Sequence, residues 1–351
     1  MNDDEALDLL EELVRTPSVS GQEADAAELL VTRMTEVGFD ASIDPVGNAV
    51  GVLGDHGPRL VLLGHVDTVP GEVPVRREED RLYGRGSVDA KGPLVAFLVA
   101  AANVHARGEL DCRVELVACV EEEVPSSRGA RYRATLPAPD ACIIGEPSGW
   151  SGVTVGYKGF LRAILSRSQP LAHASGEHSS LAGQACHLFV ELEDEVASFN
   201  TARDTLFDRL LLHLDDLRIE SNGLHERAVL DGRLRLPPDL PPEAALAWLG
   251  ERAPDWGIEA EGGLPAWSGP RTTPLARLLA RSIARCGGKP RYQRKTGTAD
   301  LNVVAPAWNC PALAYGPGDS SLDHTPDEHL EFDEFFRGIR VLESVLSWYG
   351  G

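Results

Sequence analysis

At 351 residues the chain is long enough for two compact domains, each with its own hydrophobic core. A formal charge of −21, with only four lysines (Lys91, Lys158, Lys289 and Lys295), excludes the basic footprint that nucleic acids and anionic membranes require. No run reaches the roughly 20 apolar residues of a membrane span. The acidic start Met1-Asn2-Asp3-Asp4-Glu5 lacks the basic character of a secretory signal, so a cytoplasmic protein is expected.

The acidic, lysine-poor surface fits a protein from a salt-loving organism, where screening removes most self-repulsion; a GC-rich mesophile is the alternative. Cys112, Cys119, Cys142, Cys186, Cys286 and Cys310 form no Cys-x-x-Cys pair. The first three lie in apolar runs and are expected to be small core residues.

In chain order, apolar spacing predicts helices over 4–15 and 21–38, the second with Ser18, Ser20 and Glu23 as capping candidates and Gly38 as its stop. Short apolar runs at 49–53, 59–64, 113–120 and 140–145 predict strands buried on both faces, with a strong helix over about 91–107 between them. The fold class expected from this is α/β, with a mixed, mainly parallel sheet covered by helices. From about 157 the pattern changes to a strand (160–166), a helix (181–198), strands near 211–221 and 226–236 around Asn222-Gly223, a helix (241–252) and a strand near 256–260. That β-α-β-β-α-β order predicts a ferredoxin-like α+β insert. The expected division is 1–155 with 264–351 as one domain and 156–263 as the other.

The chemistry-bearing motifs fall where strands hand over to loops: His65-Val66-Asp67, Asp89-Ala90-Lys91-Gly92, Glu121-Glu122-Glu123 and Gly145-Glu146-Pro147, with Leu322-Asp323-His324 near the end. Imidazoles and carboxylates are hard-to-borderline ligands suited to zinc-like ions. An acidic triplet directly after an apolar strand puts charge where burial is costly unless a metal compensates it. Aspartate before a helix is ordinarily an N-cap, and Asp89 is read as able to cap a helix opening at 93 while also binding metal.

This ordered set resembles the co-catalytic zinc deacylase and exopeptidase family that includes acetylornithine deacetylase, succinyl-diaminopimelate desuccinylase, aminoacylase and glutamate carboxypeptidase. Within it, Ser126-Ser127-Arg128-Gly129-Ala130-Arg131, Gly145-Glu146-Pro147-Ser148-Gly149-Trp150, Gly156-Tyr157-Lys158-Gly159, Lys295-Thr296-Gly297-Thr298-Ala299-Asp300 and Tyr315-Gly316-Pro317-Gly318-Asp319 are most similar to the haloarchaeal-type members that release lysine or ornithine from an amino-group carrier protein. The resemblance implies two divalent ions, Zn²⁺ or Co²⁺. Asp89 would bridge them, His65 and Glu146 would complete one site, and Glu123 and His324 the other. It implies Asp67 as the partner that orients His65. Glu121 aligns with the family's usual aspartate, which leaves Glu122 as the general base of amide hydrolysis by metal-activated water.

The same resemblance implies that the insert is a lid and dimerisation domain, giving a homodimer. His173, with His178 as its rival, Asn222 and Arg235 would then contact the acylated amino-acid substrate, although Ser175-Gly176-Glu177-His178 departs from the family's usual lid pattern. The loops of Gly297 and of Gly316 and Gly318 either offer backbone amides to the substrate carboxylate or are tight turns. Arg128, Arg131 and Arg133 either help dock an acidic carrier protein or form a solvated helix face. The remaining alternatives are acetylornithine deacetylase, succinyl-diaminopimelate desuccinylase, a dipeptidase, and a silent metal- or amide-binding relative. An intact Glu122 argues against the last.

Overall fold

The computed structural model describes residues 1–173 and 179–350, and divides into a larger unit of residues 1–156, 269–294 and 299 onward, and a smaller unit of 157–268 and 295–298. In chain order the larger unit begins with α1 (Asp3–Arg15), α2 (Ala24–Glu36), β1 (Asp40–Ile43), β2 (Ala49–Leu53), β3 (Arg59–His65), β4 (Arg76–Glu78), β5 (Arg81–Tyr83) and α3 (Lys91–Ala106). It continues with β6 (Arg113–Cys119), α4 (Arg128–Ala134), β7 (Ala141–Gly145) and β8 (Gly152–Tyr157). The smaller unit supplies β9 (Gly159–Pro170), α5 (Leu181–Phe199), β10 (Leu211–Ser221), β11 (His225–Leu236), α6 (Pro242–Arg252), β12 (Gly257–Leu264) and a two-residue β13 (Trp267–Ser268). The chain then returns through α7 (Pro274–Arg285), β14 (Arg291–Lys295), α8 (Leu301–Trp308), β15 (Ala312–Ala314), β16 (His329–Glu331) and α9 (Phe332–Leu346).

The main sheet of the larger unit runs β1-β2-β6-β3-β7-β15-β8. Its centre is parallel, β3 pairing with β6 and β7, and β7 with β15; β2 and β8 join antiparallel. Parallel strands need cover on both faces, which is why Leu60–Leu63 and Leu116–Cys119 are apolar without alternation. Helix α3 is itself buried on nearly every side, from Lys91 to Val104. The register sets His65 beside Cys119 and Gly64 beside Gly145, so β3, β6 and β7 end on one edge. Every loop that carries a predicted ligand from these strands therefore starts along the same line.

The smaller unit has an antiparallel sheet of order β10-β11-β9-β12. Leu181, Ala185, Leu188 and Leu192 of α5 and Ala245 and Leu249 of α6 are buried in one core with Leu161, Ala163, Leu165, Leu230 and Leu234 of the sheet. This is the ferredoxin-like order. The unit runs on to Ser268 rather than closing at 263, because β12 continues through Gly262, at φ +76°, as far as Leu264 with a register shift against β9. None of the described helices is long and apolar enough to cross a membrane.

Two end-of-helix expectations are corrected. Ser18 and Ser20 do not cap α2: Ser18 Oγ donates to the Val66 carbonyl (2.7 Å), Ser20 Oγ to Asp67 Oδ2 (2.7 Å), and the N-cap is Glu23 without a side-chain cap bond. Nor does Asp89 cap α3. The helix opens at Lys91 after Ala90, and the buried Lys91 ammonium donates to the carbonyls of Leu13 (3.0 Å) and Thr16 (2.8 Å) at the end of α1. A tertiary contact thus anchors the first turn in place of a local cap.

Candidate metal centre

His65 is the last residue of β3 and its side chain is 1% exposed. Its Nδ1 lies 3.0 Å from the Asp67 backbone oxygen and 3.5 Å from that residue's carboxylate, which turns Nε2 toward Asp89 Oδ1 at 3.2 Å and Glu146 Oε1 at 4.0 Å. Asp89 presents its second oxygen, Oδ2, to His324 Nε2 at 3.1 Å, and His324 Nε2 also lies 3.0 Å from Glu123 Oε1. One carboxylate is therefore shared between two imidazoles, each with a further carboxylate beside it. Ligand atoms of His65, Asp89 and Glu123 all fall within 4.8 Å of one another.

The acidic triplet divides as its loop dictates. Glu121, at φ +58°, turns its side chain outward to Arg128 Nε (2.9 Å) and Ser126 Oγ (2.6 Å). The three successive amides point inward: Glu121 N donates to Glu23 Oε1 (3.2 Å), Glu122 N to Asp67 Oδ1 (3.0 Å) and Glu123 N to Asp67 Oδ2 (3.0 Å). The Asp67 carboxylate thus lies closer to the amides of the glutamate loop than to the His65 ring. The loop is closed by Gly129 N donating to the Val120 carbonyl at 3.1 Å. A Cβ on Gly129 would stand 2.4 Å from Asn48 Oδ1 and 2.7 Å from Val120 N. Gly129→Ala should therefore destabilise the fold by about 1–3 kcal/mol, read as a lowered melting temperature.

The electrostatics of the cluster follow from its burial and its crowding of acids. Burial alone would lower the His65 pKa, but the bonds to Asp67 and Asp89 and the charge of Glu122 outweigh it and hold the imidazole well above its ordinary value. His324 is pushed up to about 10 by its bonds to Asp89 and Glu123. Burial would raise Asp89, but the two histidines hold it well below the usual carboxylate range. Glu122 is pushed up by burial and by Glu146, Asp300 and Glu123, against the pull of His65; Glu123 is pushed up by burial and by Asp89. Asp300, a buried carboxyl at the start of α8, is pushed up to about 7 by its burial. Acids gathered this closely favour positive charge beside them. Divalent cations would supply it, and a set of imidazole nitrogens and carboxylate oxygens suits zinc or cobalt.

The loops of Gly316 and Gly318 pack beside the Glu146 loop. Gly318 N donates to Glu334 Oε1 (3.3 Å), while the carbonyls of Gly316 and Gly318 accept from Ser148 N (2.9 Å) and Gly149 N (3.0 Å). A Cβ on Gly316 would lie 2.6 Å from Pro93 Cβ and 2.9 Å from the Glu146 carbonyl. These turns brace the Glu146 loop, and the Gly318 amide already has an acceptor. The arginine cluster separates too. Arg133 is buried against Glu115 and so cannot dock a partner, Arg128 faces Glu121, and Arg131 Nε donates to the Ser126 carbonyl at 2.9 Å.

In the smaller unit, Arg235 Nη1 donates to Thr298 Oγ1 at 3.0 Å and its guanidinium lies over Phe160 at 5.1 Å. Asn222 Oδ1 accepts from Leu224 N (3.0 Å) and His225 N (2.8 Å), closing its own hairpin turn. His173 is exposed, and His178 lies outside the described residues. Sequence patterns missed Ser20, Glu23 and Asp300 as neighbours of the cluster. Glu23 was visible only as a capping candidate, and nothing local marks its carboxylate as an acceptor for an amide 98 residues away.

The sequence model of peptidase family M20/M25/M40 matches residues 61–348. The LysW-lysine hydrolase of Deinococcus radiodurans is 42% identical, the alignment covering 97% of this chain and 96% of that protein. The LysW-lysine/LysW-ornithine hydrolase of Saccharolobus islandicus is 27% identical over 96% of this chain and 93% of that one. Among solved structures, the M20 family metallo-carboxypeptidase Sso-CP2 of Sulfolobus solfataricus superimposes with a TM-score of 0.78 at 20% identity, covering all of both chains.

Proposed function

Because the chain belongs to peptidase family M20/M25/M40, we propose that it is a metal-dependent amide hydrolase that frees lysine or ornithine from a carrier-protein-linked precursor in amino-acid biosynthesis. The observation that carries this reading is the sharing of Asp89 between His65 and His324, one oxygen facing each. In this reading His65, Asp89, Glu123, Glu146 and His324 would hold two divalent ions, Zn²⁺ or Co²⁺, with Asp89 as the carboxylate common to both, His65 and Glu146 serving one and Glu123 and His324 the other. When bound, such ions polarise the amide carbonyl and lower the pKa of water so that it attacks at neutral pH. Glu122 would take a proton from the attacking water and deliver it to the nitrogen of the breaking C–N bond, so that the amine leaves neutral. Burial holds the Glu122 carboxyl above the usual carboxylate range, which suits a group that must both accept and release a proton. Asp67 keeps Glu122 and Glu123 apart in role by gripping their amides, and orients His65.

The larger unit is assigned to catalysis in this reading, and the smaller unit to a lid through which two copies associate. His173, Asn222 and Arg235 are the residues proposed to meet substrate, and the carrier is taken to be an acidic protein in the cytoplasm. A guanidinium binds a carboxylate bidentately. Arg235→Met should accordingly raise KM by about 10- to 100-fold, the equivalent of one charged hydrogen bond, with a smaller change in kcat. The acidic surface is read as an adaptation to salt. Raising KCl from about 0.1 M to 1 M shortens the Debye length from roughly 10 Å to 3 Å, and the melting temperature should climb over that range.

The reading is tested by giving metal-reconstituted protein a panel of carrier-linked lysine, carrier-linked ornithine, Nα-acetylornithine, N-succinyl-diaminopimelate and a dipeptide. Preference for a carrier-linked substrate is expected. Preference for an acetylated or succinylated one moves the assignment to the deacylases, and inertness toward all five moves it to a silent binding relative.

A further inference from the structure

The structure assigns a positioning role to Glu328, a residue with no part in the chemistry described above. Its side chain is fully buried, and its two oxygens are divided between two tasks. Oε1 accepts from the backbone amides of Val88 (3.1 Å) and Asp89 (3.3 Å), and Oε2 pairs with Arg85 Nη1 at 2.6 Å. Arg85 is itself tied by its Nε to the Gly71 carbonyl at 3.0 Å. The Glu328 backbone is fixed from both sides: its carbonyl accepts from Gly84 N at 3.2 Å, and the next residue begins β16, which pairs with β5.

A buried carboxylate is costly unless its lone pairs and its charge are both answered. Here Arg85 answers the charge and two peptide N–H groups fill the remaining acceptor capacity. Those two amides belong to the segment that aims the Asp89 carboxylate. Glu328 also lies four residues after His324, so one side chain joins the loop that carries His324 to the loop that carries Asp89. The distance between these two groups, 3.1 Å from His324 Nε2 to Asp89 Oδ2, is thereby set by Glu328. This inference rests on the proposed role of Asp89 as the carboxylate shared between two ions. Its consequence is that Glu328 governs how tightly metal is held without touching metal or substrate.

The experiment compares wild type, Glu328→Gln and Glu328→Asp, each stripped of metal and then titrated with Co²⁺ by equilibrium dialysis. Visible absorption of the bound cobalt and the melting temperature of each metal-free protein are recorded alongside. Gln turns an amide N–H₂ toward Arg85 or toward the two backbone donors. Asp keeps the charge but withdraws it by one methylene. Both should weaken cobalt binding by about 10- to 100-fold and alter its absorption spectrum. Should Glu328→Gln fail to fold, Glu328→Asp alone decides. Unchanged cobalt affinity and spectrum in a folded variant, even one with a lowered melting temperature, would overturn the role and leave Glu328 as structural support. Wild type that binds no cobalt sinks the metal reading and this inference together. Wild type that binds cobalt, is weakened by either substitution and hydrolyses nothing in the panel sinks the proposed function alone.

Discussion

Glu122→Gln should fold, retain its full complement of metal and hydrolyse substrate about 10²- to 10⁴-fold more slowly, the usual loss when a general base is removed. The expectation follows from how the acidic loop is held. Asp67 accepts the amides of Glu122 and Glu123, and Glu23 accepts that of Glu121, so the backbone does not depend on the Glu122 side chain. Only Glu123 among the three reaches His324, at 3.0 Å, and Glu121 faces Arg128. Replacing the Glu122 carboxyl by an amide of the same shape removes the proton acceptor and leaves the other side chains in place. Metal analysis beside steady-state kinetics checks it. Loss of metal with the activity would exchange the roles of Glu122 and Glu123.

The second large effect is expected at Asp89. Each imidazole faces a different oxygen of this one carboxylate, so Asp89→Asn removes the negative charge on which both depend. The variant should lose metal affinity by more than the 10- to 100-fold typical of residues that only support a ligand, and its activity should vanish with the metal. Stability follows by linkage: free metal at 100 times its dissociation constant stabilises a protein by about 2.7 kcal/mol. Wild type should show that gain as a raised melting temperature on loading, abolished by a chelator, whereas Asp89→Asn should show none at the same metal concentration. An equal rise in the two proteins would mean that Asp89 is not a ligand.

Much of the larger unit was legible because its strands are short, apolar on both faces and bounded by loops. The expectations at 49–53, 59–64, 113–120 and 140–145 fall on β2, β3, β6 and β7 to within a residue or so at each end. The start of α3 was not legible, because Lys91 is drawn into the helix by carbonyls of α1, a contact between residues more than 70 apart. At the centre itself, charge directly after the apolar strands β3, β6 and β7 marked the loops of His65, the acidic triplet and Glu146, whereas Asp89 and His324 follow no such strand and stood out only through the family resemblance. The carboxylates that hold their loops could not. Glu23 and Glu328 have the same local surroundings in sequence as solvated acids, and only the fold reveals that each accepts backbone amides from a distant loop. Gly316 and Gly318 carried a turn signal, but that they are packed against Pro93 and the Glu146 loop is a matter of tertiary fit.

The most direct test is anomalous diffraction at the zinc edge from crystals of the zinc-loaded protein. Two peaks about 3.5–4 Å apart, one on either side of Asp89, with His65 and Glu146 at the first and Glu123 and His324 at the second, are the expected result. A single peak, or peaks away from Asp89, would contradict the dinuclear centre and the hydrolysis built on it.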